Sequence, residues 1–288
     1  MHYASVKGIL SARNGMNLCR GCVHGCIYCD SRSLCYHMEH EFEDVELKAN
    51  ALPLLEEALR RKRKRCMIGT GSMTDPYMPI DESLALTRGA LELIYQYGFG
   101  ATLITKSELV LRDLELLKAI NRRAKAVVQM TLTTFDEGLC KKVEPGVCTT
   151  RARVEALKAL RDAGIPTVVW LSPILPFIND TEENLSGILD YCAEAGVYGI
   201  ICFGMGLTLR EGNREYFYRQ LDRLFPGMKE RYIRAFGQRY MLESPRSAEL
   251  MALFRRRCAD SGIVCDNDAI FRFLSALEPK DEIQLSLF

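Results

Sequence analysis

The feature that most constrains this chain is a repeated strand-then-helix rhythm. Cys66–Gly69 reads as a short buried strand, and Glu82–Tyr97 as the helix after it. Ala101–Thr105 is a strand and Leu109–Asn121 a helix; Ala126–Leu132 is a strand, and Arg151–Ala163 a helix stopped by Gly164. Thr167–Leu171 is a strand, Thr181 opens a helix with Glu182 and Glu183 in its first turn, and Val197–Phe203 is a strand. The strands are apolar runs with little alternation, as expected when both faces are buried. One further strand before Cys22 brings the count to about six units. Six units predict a partial (β/α)6 TIM-like barrel of parallel strands, with chemistry at the strands' C-terminal ends.

After about residue 212 the rhythm stops. Arg210–Leu224 and Ser247–Ala259 read as helices. The expected organisation is a partial barrel over 1–211, a C-terminal helical extension over 212–278, and a flexible polar tail over 279–288. At 288 residues the chain can bury a large core. A net charge of +1 announces no global nucleic-acid or membrane surface. No signal peptide and no run of about 18 apolar residues is visible, so a cytoplasmic protein is expected.

Twelve cysteines in a reducing compartment are not a disulfide framework. Those scattered singly, such as Cys192 and Cys258, read as small buried hydrophobes. The run Cys22-Val23-His24-Gly25-Cys26-Ile27-Tyr28-Cys29 is different. Three thiolates in eight residues converge on one metal centre if the chain between them loops, and Gly21 and Gly25 supply the freedom for that. Thiolates suit iron–sulfur clusters or zinc. A [4Fe–4S] cube on three cysteines leaves one iron open. A zinc site would need Cys19 or Cys35 as its fourth ligand, and no second CxxC knuckle is present. His24 and His37, beside the run, read as supporting residues.

This spacing, with an aromatic residue before the last Cys, resembles the radical S-adenosylmethionine (SAM) superfamily. Further stretches resemble its spore photoproduct lyase, or DNA-repair-photolyase-like, branch: Gly69–Tyr77, Thr105-Lys106, Arg112-Asp113, Glu144-Pro145-Gly146 and Ser172–Pro176. The resemblance covers about Asn14 to Gly206. It implies a [4Fe–4S] cluster on Cys22, Cys26 and Cys29, with SAM bound at the open iron. It also implies that Thr74 and Asp75 hold the SAM amino group, that Lys106 pairs with its carboxylate, that Thr131 and Thr133 reach the ribose, and that the backbone at Tyr28 meets the adenine. A flavodoxin or ferredoxin would donate the electron. One departure is notable: where spore photoproduct lyase has a radical-quenching Cys, this chain has Ser72, which cannot donate a hydrogen atom as a thiol does. Cys35, Cys148 and Tyr77 are the substitute candidates.

The last five residues, Gln284-Leu285-Ser286-Leu287-Phe288, look like the peptide that docks on the bacterial sliding clamp. Arg60–Arg65 and Arg255–Arg257 are basic clusters that contact phosphates or form solvated faces. The leading expectation is a radical SAM enzyme, lyase-like, acting on a damaged or modified DNA base. One alternative is the same chemistry on RNA, a peptide or a small molecule; another is a non-catalytic iron–sulfur protein that docks on the clamp.

Overall fold

A computed structural model describes residues 1–71 and 73–277. The chain opens in a small sheet of β1 (His2–Ala4), β3 (Cys19–Arg20) and β4 (Glu46–Lys48). Between β1 and β3, β2 (Gly15–Met16) starts the main sheet. The strands β5 (Met67–Thr70), β6 (Gly100–Thr105), β7 (Ala126–Thr131), β8 (Thr167–Trp170) and β9 (Gly199–Ile201) follow in sequence order, every neighbouring pair parallel. This is the expected six-stranded partial barrel.

Helices α1 (Ala51–Arg61), α2 (Asp81–Gln96), α3 (Leu114–Arg123), α4 (Glu137–Val143), α5 (Thr150–Asp162) and α6 (Glu182–Ala195) make the crossovers. Their starts are chemically marked. Asp136, Thr149 and Thr181 each accept a hydrogen bond from a backbone N–H of the first turn of α4, α5 and α6. Gly196 closes α6 in the left-handed conformation. The helix expected from Leu109 starts later: Glu108–Asp113 is a 3-10 turn, opened by Ser107, and α3 follows it.

The two faces of the barrel strands diverge with a period of two. Ile68, Leu103, Val128, Met130, Val169 and Ile200 face the crossover helices in the main core. Met67, Val127, Val168 and Ile201 face the lumen, where they pack against Ile270 and Leu274. Those two residues belong to the last described helix. After β9 come the ribbon β10 (Gly206–Thr208) and β11 (Met241–Glu243), with α7 (Asn213–Leu224) and α8 (Met228–Phe236) between its strands, then α9 (Ser247–Asp260) and α10 (Asn267–Ser275). Helix α10 plugs the lumen at the N-terminal ends of the strands. Just before it, Val264 pairs with Gly199 of β9. The sequence pattern anticipated neither α8, α10 nor the ribbon, because each is short. No described helix is long and apolar enough to cross a membrane.

Candidate active site

The lumen holds a cavity of about 880 Å³. Cys22, Cys26 and Cys29 line it, together with Tyr28, Thr74, Asp75, Lys106 and Thr131. Eight residues spread from 22 to 131 in the chain thus open onto one space at the strand ends. The cysteines carry no disulfide. Cys19 lies off the cavity beside the Ser83 hydroxyl, 3.5 Å away, and Cys35 is exposed near Arg210, so neither stands with the three as a fourth ligand.

The cluster loop is held from outside itself. Ile27 N–H donates to the Val143 carbonyl at 3.0 Å, and Gly146 N–H to the His24 carbonyl at 2.9 Å. A Cβ on Gly146 would lie 2.8 Å from the Val23 carbonyl oxygen, so glycine is required by the close approach of the two loops. The Tyr28 hydroxyl donates to Glu144. Glu144 is ion-paired with Arg153, both fully buried, and Arg153 donates to the Thr131 carbonyl at 2.7 Å. Burial pushes the Glu144 carboxyl up, but Arg153 and Lys106 outweigh it and hold it below the usual range. The cluster loop, the Glu-Pro-Gly segment and the end of β7 are therefore one hydrogen-bonded unit. Behind the loop, Ile27 and Tyr28 pack with Phe217 and Leu221 of α7 and Tyr232 of α8.

Asp75 is the second anchor. It accepts from the Tyr77 N–H at 2.9 Å, the Thr105 hydroxyl at 2.6 Å and the Lys106 N–H at 2.7 Å, and its Oδ2 lies 3.2 Å from His24 Nε2. Burial pushes Asp75 up; His24 and the donated hydrogen bonds reverse this and hold it low. His24 Nδ1 donates to the Gly146 carbonyl at 3.0 Å. Both ring nitrogens face groups that only accept, which favours the imidazolium. Burial opposes that charge, but Asp75 prevails and raises the His24 pKa.

Lys106 places its ammonium 5.8 Å from the Tyr28 ring centroid. Burial alone would lower its pKa, but Cys26 and Glu144 raise it, so it stays charged. Among the described residues it forms no ion pair, which leaves a free cation facing the cavity. Thr74 lines the cavity but donates its hydroxyl to the Cys19 carbonyl at 3.1 Å.

Other expected residues lie elsewhere. Thr133 does not line the cavity; its carbonyl accepts from Asn179 and Asn184. Tyr77 is buried behind the wall, donating to Asp113 at 3.2 Å. Cys148 donates to the Lys106 carbonyl at 3.3 Å. Ser72 and the clamp-like residues 284–288 lie outside the described residues. Sequence reasoning missed Arg153, which reads as an ordinary helix charge, and the lumen residues Gln129, Trp170, Phe203 and Phe271. The one signal for them was a Gln inside an otherwise apolar strand.

The donor set fits an iron–sulfur cluster: three soft sulfur donors on one loop, beside open space for a further ligand. Burial pushes the Cys22 thiol up to about 12 and Cys26 well above its ordinary value. Thiolates at such a site require the positive charge of bound iron.

A parallel partial barrel carrying three cysteines at the mouth of its lumen defines a class of iron–sulfur radical enzymes. The Radical SAM superfamily model matches residues 16–192, and the chain belongs to that superfamily. The superfamily implies two cofactors, a [4Fe–4S] cluster and SAM. An uncharacterised protein of Mycobacterium tuberculosis is 32% identical over 234 residues, which cover 77% of this chain and 67% of the relative. In fold, the chain is similar to a cysteine-to-serine mutant of spore photoproduct lyase (TM-score 0.64, 16% identity, covering 89% of this chain and 77% of that one). It is also similar to a double mutant of spore photoproduct lyase with bound AdoMet and dinucleoside spore photoproduct (TM-score 0.60, 16% identity, 85% and 72%).

Proposed function

We propose that this radical SAM enzyme acts on a damaged or modified base in DNA. The observation that carries the reading is the shared cavity: three cysteines, the half-buried Lys106 cation, which forms no ion pair among the described residues, and a wide apolar chamber open onto each other. Spore photoproduct lyase, similar in fold, supports a DNA substrate by analogy. Cys22, Cys26 and Cys29 would hold the cluster, and Lys106 the SAM carboxylate. The backbone beside Tyr28 would meet the adenine, and Thr131 the ribose. Asp75 supplies the negative charge toward an ammonium, while its own lone pairs tie β5 to β6. When bound, the cluster supplies the electron that splits SAM into methionine and a 5′-deoxyadenosyl radical. The chain's part is to orient the substrate carbon and to exclude water; the apolar lumen suits both.

With Ser72 where the lyase has a Cys, the spore-photoproduct reaction itself is not the proposed one. Cys148, tied to the Lys106 carbonyl, is a spare thiol beside this site. The C-terminal Gln284–Phe288 supports docking on the sliding clamp by sequence alone. Equal retention of intact and tail-deleted protein on purified clamp would remove it.

The decisive experiment is anaerobic reconstitution with dithionite and SAM, scanning ultraviolet-treated DNA, RNA and peptides for products. The reading expects 5′-deoxyadenosine, lost in Cys22→Ala, and a new product from DNA alone. A product from RNA or peptide and none from DNA would overturn it.

A further inference from the structure

Three aromatic rings crowd one wall of the cavity. The Trp170 ring centroid lies 6.0 Å from Phe203 and 6.0 Å from Phe271, and those two stack 6.2 Å apart, their planes 27° from parallel. They come from three elements: the end of β8, the turn after β9, and α10. Two are wet, Phe203 at 63% and Phe271 at 38% exposure, although both line the cavity. Folding usually buries a phenylalanine, and a pair exposed together inside a cleft marks a binding surface. Next to Phe203, Gly204 has nothing within 4 Å of where a Cβ would sit, so the backbone beside that ring faces open space.

A polar pair stands beside the rings. The Trp170 indole N–H donates to Gln129 Oε1 at 2.7 Å, and Gln129 Nε2 donates to the Thr102 hydroxyl at 2.8 Å. An indole N–H can only donate, so the amide orientation is fixed. With those two bonds made, Gln129 keeps one N–H and one carbonyl lone pair uncommitted among the described residues. A neighbouring donor and acceptor beside a stacking surface match the edge and the face of a nucleobase. A phenyl ring would use the face and leave the amide unsatisfied, and an indole could meet only its acceptor. The cavity, near the upper end of the roughly 300–1,000 Å³ usual for ligand sites, has room for such a ring beside a cofactor.

We infer that Trp170, Phe203 and Phe271, with Gln129, form the subsite that takes the substrate's nucleobase, unstacked from its neighbours. This rests on the DNA-base reading above and assigns residues to it. An unstacked base is needed because a duplex buries its faces.

The chain has a single Trp, so its fluorescence reports on this wall directly. The probes are single-stranded oligodeoxythymidylate, an abasic oligonucleotide of equal length, and N-acetyltyrosinamide, each titrated into reconstituted enzyme. Saturable quenching by oligodeoxythymidylate and none by the abasic strand is expected. Phe203→Ala and Phe271→Ala should each weaken it about 10-fold, as for loss of one base-stacking partner. Phe203→Tyr should keep the affinity, and Gln129→Leu should reduce the preference for the base over N-acetyltyrosinamide. SAM binding by equilibrium dialysis should be the same in all four variants, which separates a lost subsite from a misfolded chain. Quenching by the abasic strand or N-acetyltyrosinamide equal to that by oligodeoxythymidylate would overturn the inference. So would unchanged affinity in both alanine variants. If DNA is converted to product while the wall fails these tests, the subsite is wrong and the DNA reading stands. If DNA is neither bound nor converted, both fall.

Discussion

Arg153 and Glu144 carry the strongest single-residue consequence. Each is a fully buried charge whose counter-ion is the other. Removing one partner leaves an uncompensated charge in the interior. Arg153→Met should therefore cost about 3–5 kcal/mol of unfolding free energy by denaturant titration. The double variant with Glu144→Gln should recover most of that loss. The pair also makes stability depend on pH. Glu144 has its folded pKa depressed, so its contribution is present above the ordinary carboxylate value of about 4.3 and is lost as pH falls through the folded value. Wild type should lose more stability than Glu144→Gln between neutral pH and pH values below about 4; parallel slopes would reject this. At Lys106 the expectation is for the cofactor. Lys106→Met keeps the length and removes the charge. SAM affinity by anaerobic equilibrium dialysis should fall at least about 10-fold, the equivalent of one charge-assisted hydrogen bond.

The junction between β5 and β6 sets the geometry of the cavity rim. Gly71, at the end of β5, has φ +98°, and a Cβ there would sit 2.0 Å from the Ile104 carbonyl oxygen. No rotamer relieves a clash with backbone. Gly71→Ala should destabilise by at least about 2 kcal/mol from backbone strain alone, and should weaken SAM binding because Thr74 and Asp75 follow directly. Normal SAM binding in a folded Gly71→Ala protein would show that this loop does not set the site. Most long elements were legible in the sequence. The strands β5 to β9 and helices α2, α5 and α6 fall within a few residues of where periodicity and caps place them. Short elements were not. Helices α8 and α10 each span nine residues and the ribbon strands three, too few for a period to show.

Across the whole molecule, the C-terminal helices and the barrel share their packing. Ile270 and Leu274 of α10 fill the lumen floor among residues of β5, β7, β8 and β9. Helices α7 and α8 back the cluster loop. Barrel and C-terminal helices should consequently unfold together. Ile270→Ala, at a fully buried position, should cost about 2–5 kcal/mol and shift a single thermal transition. Two resolved transitions by calorimetry, with only one moved by the variant, would mean that the C-terminal helices are a separate unit.

The sequence alone determined the parallel barrel and the three-cysteine loop. Both are written in patterns a few residues long: an apolar run, a cap, a spacing of thiols. Its resemblance to the radical SAM superfamily also pointed to Asp75, Lys106 and Thr131, each of them next to a strand end. Only the tertiary structure decided what surrounds that loop. Tyr28 meets Glu144 across 116 residues of chain, and Trp170, Phe203 and Phe271 come from three separate elements. No local pattern records such meetings. They follow from how the crossovers bring strand ends together and from which face of each strand turns inward, and the lumen's chemistry is settled there.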